Sequence, residues 1–418
     1  MDDLISRAEA LARHSDSAEH YTRTYLTPAH QAAARQLGDW MREAGMEVRV
    51  DAVGNVIGRY DAASSPRGAQ SPQSPGAQVL LMGSHFDSVR NGGKYDGVLG
   101  VLVPIACVAE LNRRGERLPF ALEVVGFADE EGARYQTSFL ASKAMIHGAE
   151  AMRPLLERVD AQGVRFDDAM RAAGLDPART DEARIDPARL AAYVEVHIEQ
   201  GPVLLNAGRP LGVVTSIASG GRHLVRVFGE AGHAGTVPMG VRRDAMAAVA
   251  EMVLAVEARA TALGGVGTVG LVNVKDGTGN VIPGEVEFTI DMRAGDDATR
   301  AAIEDAVRAD IEAIARRRGV RVESSRRHDV SAAPCAGWIQ DQLEAAARRA
   351  GADPIRLPSG AGHDAMVFAE VTDVGMLFVR CGAGGVSHNP AETITAGDGA
   401  LAERALLEFL RGFRTPGG

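Results

Sequence analysis

Residues 79–100 read VLLMGSHFDSVRNGGKYDGVLG. The apolar run 79–82 is short enough for a buried strand. It gives way to one histidine, two aspartates and five glycines, and then to VLVPIACVAEL, which predicts a helix over 98–114. A strand that ends in polar side chains and returns as a helix is the repeating unit of a parallel α/β sheet. Functional groups in such sheets collect at the carboxyl ends of the strands. The glycines allow a tight turn that brings His85, Asp87 and Asp96 together above the strand end.

Working outward, HQAAARQLGDWMREAG (30–45) predicts a helix stopped by glycine. MEVRVDAVGNVIGRY (46–60) predicts two strands around a turn at Gly54-Asn55. Residues 62–77, AASSPRGAQSPQSPGA, are too rich in Ser, Pro and Gly to pack a core and predict a flexible surface loop. FALEVVGFADEEG (120–132) predicts another buried strand ending in acids. After Gly212 the pattern changes. A strand over 223–235, a helix over 244–263, two strands around a Gly-rich turn in 268–294, a helix over 298–319 and a strand over 320–330 follow in turn. This βαββαβ order predicts a compact α+β module over 212–330. It would be inserted into a larger α/β domain with a mostly parallel central sheet, made of residues 1–211 and 331–418.

The chain has 418 residues, 45% of them hydrophobic and 24% charged, which suits a globular protein of two domains. Its formal charge of −10 argues against a nucleic-acid surface, which needs a clustered basic face. The arginines of ARRRGVR (315–321) lie among acids and alanines and read as a solvated helix face. Three scattered cysteines form no disulfide framework, so a reducing compartment is expected. The N-terminal MDDLISRAEALARHSD lacks the apolar core of a signal peptide. No run approaches the ~18 apolar residues of a membrane span. A cytoplasmic protein with no membrane or nucleic-acid partner is therefore expected.

Four strand-like runs end in side chains able to hold a metal: His85 with Asp87 and Asp96, Glu130 with Glu131, His197 in EVHIEQGPVL, and His388 in GVSHNPAE. Imidazole and carboxylate without thiolate suit zinc, manganese or cobalt. Acids crowded at one rim repel one another unless cations neutralise them, which favours two metal ions. Such a pair polarises a carbonyl and acidifies a bridging water, and a glutamate beside the ligands would act as general base. Taken singly, these residues have plainer readings. His14, His20 and His30 read as surface histidines, an Asp-Gly as a turn, and adjacent glutamates as a solvated pair. NGGKYDG lacks the GxxxxGK[ST] spacing of a phosphate loop. It is the recurrence at four strand ends that points to a site.

SHFDSVRNGGKYDGVLGV, FADEEGARYQTSFLAS, VEVHIEQGPVL, GHAGTVPM, NVIPGEVEFTIDMR, SGAGHDA and GVSHNPAE occur in this order over nearly the whole chain. Together they resemble the M20 metallopeptidase-related amidohydrolases of the hydantoinase/carbamoylase subgroup. That subgroup includes N-carbamoyl-L-amino acid hydrolases, allantoate and ureidoglycolate amidohydrolases and β-ureidopropionases. HIEQGP is its mark, since ordinary M20 peptidases usually carry an acid where His197 stands.

The resemblance implies a di-metal catalytic domain and an inserted lid that also dimerises. Asp96 would bridge two divalent ions (Zn, Mn, Co or Ni). Glu131 and His388 would complete one site, and His85 and His197 the other. Asp87 would orient His85, and Glu130 would activate water and protonate the leaving amine. Arg293 would clamp a substrate carboxylate, with Gln200 and Asn280 donating amide hydrogen bonds and His363 lining the site. His233 would reach the neighbouring subunit's site of a homodimer and polarise the scissile carbonyl. The implied reaction is hydrolysis of a linear C–N bond in a ureido acid. Allantoate is the first choice of substrate, and an N-carbamoyl-L-amino acid or N-carbamoyl-β-alanine the second. A di-metal dipeptidase and a catalytically inert binding protein are the rival classes.

Overall fold

The computed structural model describes residues 4–63 and 78–417, so the surface loop expected over 62–77 falls, apart from its first two residues, outside the described residues. The chain divides into two compact units. The first runs to Thr215 and resumes over Cys335–Leu357 and from His363 onward; the second is Ser216–Pro334 with Pro358–Gly362.

The sheet of the first unit includes, in order, Glu47–Val50, Val56–Tyr60, Ala121–Phe127, Val79–His85, Leu190–Ile198, Val374–Val379 and Leu211–Ile217, with Ile355–Ser359 also paired to Leu211–Ile217. The middle four strands are parallel. Both flanks are antiparallel, including the expected hairpin at Gly54-Asn55. Every residue of Val79–His85 and Ala121–Phe127 is buried, which explains their continuous apolar runs. Register aligns the strand ends: His85 lies opposite Phe127, and His197 opposite Phe378. Side chains just past these positions therefore emerge at one rim.

Helix Val98–Arg113 packs tightly across the parallel strands. A Cβ added at Gly100 would lie 2.2 Å from the Val196 carbonyl oxygen and 2.6 Å from Ser84 Cβ, so only glycine admits the helix this close. Helix Pro28–Glu43 starts on Thr27, whose hydroxyl accepts the His30 N–H, and has proline in its first turn. It buries Ala33, Leu37 and Met41 at helical spacing, worth about 1.5–3 kcal/mol for each of the two larger side chains. The same face carries His30, which the sequence placed at the surface. It is buried instead, its Nε2 2.7 Å from the Ala128 carbonyl and its ring stacked 4.4 Å from Phe86. A helical stripe, rather than the polarity of one residue, decided its side.

In the second unit an antiparallel sheet runs Val272–Val274, Glu285–Ala294, Ser219–Phe228, Arg321–Val330, with Val266–Thr268 also paired to Glu285–Ala294. Helices Ala245–Leu263 and Asp297–Arg318 begin on Asp244 and Asp296, whose carboxylates accept the Ala247 and Thr299 N–H groups. Alternate residues Val286, Phe288, Ile290 and Met292 share one core with Val249, Met252, Val256, Ile303 and Val307. Strands flank the two helices as expected, but four strands rather than two lie between the helices, and two of the expected strands are shorter. The one predicted over 223–235 stops at Phe228. At Gly229 the Arg243 carbonyl approaches so closely that a Cβ would sit 1.9 Å from it. Gly232–His233 then pairs separately with Val281–Ile282. The first strand of 268–294 is likewise broken into short pieces, in a stretch carrying Gly265, Gly267 and Gly270. Among the described residues, no helix is long and apolar enough to cross a membrane.

Candidate metal centre

His85 closes its strand, and the following turn carries Asp87 and Asp96. His85 Nδ1 lies 3.3 Å from Asp87 Oδ1, while Nε2 faces Asp96 Oδ1 at 3.7 Å. His197 Nδ1 donates to the Ile198 carbonyl at 2.8 Å, leaving Nε2 to accept the Gly97 N–H at 3.2 Å and to lie 3.3 Å from Asp96 Oδ1. From the other side, half-exposed His388 brings Nε2 within 3.2 Å of Asp96 Oδ2 and 3.4 Å of Glu131 Oε1. The two oxygens of Asp96 thus face different partners. Donor atoms within 4.8 Å of one another include His85–Asp96–His197, Asp96–Glu131–His388 and His85–Glu130–Glu131.

Asp87 ties the histidine turn to the acidic one. Its Oδ1 accepts the Glu130 N–H at 3.0 Å and its Oδ2 the Glu131 N–H at 3.2 Å. Gly97 has φ +66°, and a Cβ there would lie 2.5 Å from the His85 ring, so the turn needs glycine on both counts. Electrostatics fit a cation site. Burial, with Glu131, Asp364 and Asp87 close by, drives Glu130 well above the usual carboxylate range, although His85 opposes it. Burial also raises Glu131. Burial opposes the charge on Asp96, but hydrogen bonds from His388 and His85 outweigh it and hold Asp96 well below that range. Bonds to Asp96 and Glu131 push His388 up to about 10. Burial pushes His197 down to about 4, so it stays neutral and able to ligate. Protons occupying such a cluster are what a metal ion displaces.

The remaining expected residues fall into two groups. Gln200, with φ +56°, donates its amide to both Asp96 oxygens at 3.1 Å and to Ser387 Oγ at 3.3 Å, so it sits on the shared carboxylate. His363 is buried with its ring edge-on to His197 at 4.5 Å, and burial holds it well below the usual imidazole range. His233, Asn280 and Arg293 belong to the second unit. There the Ala234 N–H binds the Asn280 carbonyl at 3.0 Å, beside the short pairing that holds His233. Arg293 pairs with Asp291 at 2.8 Å and donates to the Gly360 carbonyl at 2.9 Å.

Acids at the site that were not singled out from the sequence include Glu195 and Glu392, besides Asp364 near Glu130. Glu195 is buried on the same strand face as His197, two residues away, and accepts bonds from Ser84 (2.6 Å), Tyr193 (3.1 Å) and the Ala365 N–H (3.1 Å). Burial pushes it up to about 7. Glu392 ends the GVSHNPAE motif and accepts the N–H groups of Tyr95 and Asp96. Strand alternation was the available signal for the first, and proximity to His388 for the second.

Histidines and carboxylates converging past the ends of parallel strands, in a chain interrupted by a smaller α+β unit, define a metal-site α/β protein. The chain belongs to the peptidase family M20/M25/M40, whose profile it matches over residues 79–412. It is 39% identical to an allantoate deiminase of Arabidopsis thaliana, over 98% of this chain and 82% of that protein. It is 41% identical to an N-carbamoyl-L-amino acid amidohydrolase of Geobacillus stearothermophilus, over 92% of this chain and 91% of that one. A hydantoinase/carbamoylase family amidase from Burkholderia ambifaria has a similar structure, with a TM-score of 0.87 at 33% identity, covering 98% of this chain and 96% of that chain.

Proposed function

We propose that the protein is a metal-dependent amidohydrolase cleaving a linear C–N bond of a ureido acid, with allantoate as the substrate. The observation that carries this reading is the Asp96 carboxylate, shared between two donor sets with Glu130 buried beside both. His85 and His197 would hold one divalent ion and Glu131 and His388 the other, a donor set that takes Zn, Mn, Co or Ni. When bound, the two ions supply Lewis-acid polarisation of the scissile carbonyl and a water acidic enough to ionise near neutral pH.

The chain's own groups do the rest. Glu130 takes the proton from the attacking water and delivers it to the leaving nitrogen, from a buried position beside both donor sets. Asp87 keeps the His85 ring oriented through its Nδ1 face. The Arg293 guanidinium grips the substrate carboxylate, with Asn280 and Gln200 donating to its polar groups and His363 forming a wall. Residues 212–330 act as lid and dimer contact, and His233 serves the active site of the neighbouring subunit in a homodimer. The cytoplasm is the expected compartment, where the three cysteines, all buried and unpaired, stay reduced.

The relatives named above support a ureido or carbamoyl substrate. VRNGGKYDG, DEEGARYQTSFLAS and FVRCGAGGVSHNPAE resemble allantoate amidohydrolases, which ranks allantoate ahead of N-carbamoyl-L-amino acids and N-carbamoyl-β-alanine. His197, in place of an acid, argues against a dipeptidase. The test is ammonia release from the metal-reconstituted enzyme across these ureido acids, run beside a dipeptide panel. Turnover of allantoate is expected. Turnover of carbamoyl amino acids alone would move the assignment to the second choice, and cleavage of dipeptides alone would overturn it.

A further inference from the structure

Glu392 stands four residues after His388 and is only 2% exposed. Its Oε1 accepts the backbone N–H groups of Tyr95 and Asp96, both at 3.0 Å. Its Oε2 accepts the Ser387 hydroxyl at 2.8 Å, and the same hydroxyl oxygen lies 3.2 Å from Asp96 Oδ2. One buried carboxylate therefore joins the loop carrying Asp96 to the loop carrying His388, although Asp96 and Glu392 lie 296 residues apart. The fit is close. A Cβ at Gly93 would fall 2.0 Å from the Glu392 carboxyl carbon.

We infer that Glu392 is a positioning residue for the shared ligand: gripping the Tyr95–Asp96 backbone and Ser387 together, it sets the rotation of the Asp96 carboxylate. A shared aspartate must present one oxygen to each donor set, and here Oδ1 faces His85 and His197 while Oδ2 faces His388. That presentation depends on where the Asp96 backbone sits and on how its carboxyl plane is turned. Glu392 holds the first through two N–H groups and reaches the second through Ser387. The Gln200 amide, bonded to both Asp96 oxygens, braces the carboxylate from another direction. Groups that orient a metal ligand in this way typically change metal affinity by ~10–100-fold when removed.

The inference rests on the two-metal reading of this site. It is tested with the full-length chain, reconstituted with Co(II), by metal content, competitive titration, the visible d–d spectrum and the melting temperature. Wild type should take up two ions. Glu392→Ala should bind at least one ion ~10–100-fold more weakly and show a changed d–d band. Glu392→Gln keeps an oxygen for the two N–H groups and should restore affinity to within about tenfold of wild type. Ser387→Ala should shift the spectrum at an unchanged melting temperature. Wild-type affinity and d–d band in Glu392→Ala or, where that variant does not fold, a wild-type d–d band in Ser387→Ala would overturn the positioning role alone. Failure of the wild type to take up two ions would overturn the two-metal reading and this role with it.

Discussion

Replacing Glu130 by glutamine isolates the proposed proton carrier from everything around it. The change is isosteric. It leaves the Glu130 N–H on Asp87 Oδ1 (3.0 Å) and the Phe139 N–H on the residue 130 carbonyl (2.7 Å), so the loop keeps its path. What disappears is a buried carboxyl that exchanges a proton. General base and acid catalysis is worth ~10²–10⁴ in rate, or about 3–5 kcal/mol of barrier at ~1.4 kcal/mol per tenfold. Glu130 is only 8% exposed, so bulk water reaches it poorly and cannot easily stand in for it. The upper half of the range is therefore expected. Folding should not suffer, because an uncharged amide costs less to bury than a carboxylate. The assay is kcat for ammonia release after metal reconstitution, with metal content and melting temperature measured on the same samples. A variant that binds two ions, melts like wild type and keeps more than about a tenth of wild-type kcat would refute the base assignment, since that loss falls below the range for a general base.

Three further outcomes are expected. Burial pushes His30 down to about 4, whereas the unfolded chain titrates near 6.5. Stability from this group is full above pH 6.5 and is lost as the pH falls towards 4, because only the unfolded chain takes the proton; the loss reaches about 3 kcal/mol. His30→Gln should flatten that part of the pH dependence of the urea midpoint, and an unchanged slope would contradict the account. Without metal, His388 titrates at about 10, so each metal ion bound at its site near pH 7 should release a proton, and apparent affinity should rise with pH by up to about tenfold per unit. Calorimetry in buffers of different ionisation enthalpy reads this directly, and zero proton release would contradict it. Gly97→Ala places a methyl 2.5 Å from the His85 ring on a backbone with φ +66° and should cost about 2 kcal/mol or more together with metal affinity. A variant with wild-type melting and metal content would show that the turn is looser than described.

Much of the fold was legible because it is written locally. Helical periodicity and glycine stops put helices at 98–114 and 244–263, and the structure has Val98–Arg113 and Ala245–Leu263. Apolar runs broken by His or acid marked the strand ends that hold His85, Glu130 and His197. The same local reasoning failed where a distant group intervened. The helical stripe puts His30 inside, where the Ala128 carbonyl and the Phe86 ring receive it, and the strand stops at Phe228, just before the close approach of the Arg243 carbonyl to Gly229.

The sequence by itself determined which side chains are available and what each can do: imidazoles, carboxylates, glycines that permit tight turns. Tertiary structure alone decided that Asp96 divides its oxygens between two partners, that Gln200 lies on that carboxylate, and that Glu392 holds the Asp96 loop from 296 residues away. The reason is physical. Propensity and periodicity act between neighbours in the chain, whereas ligand geometry depends on sheet order and loop packing among residues that share no local pattern.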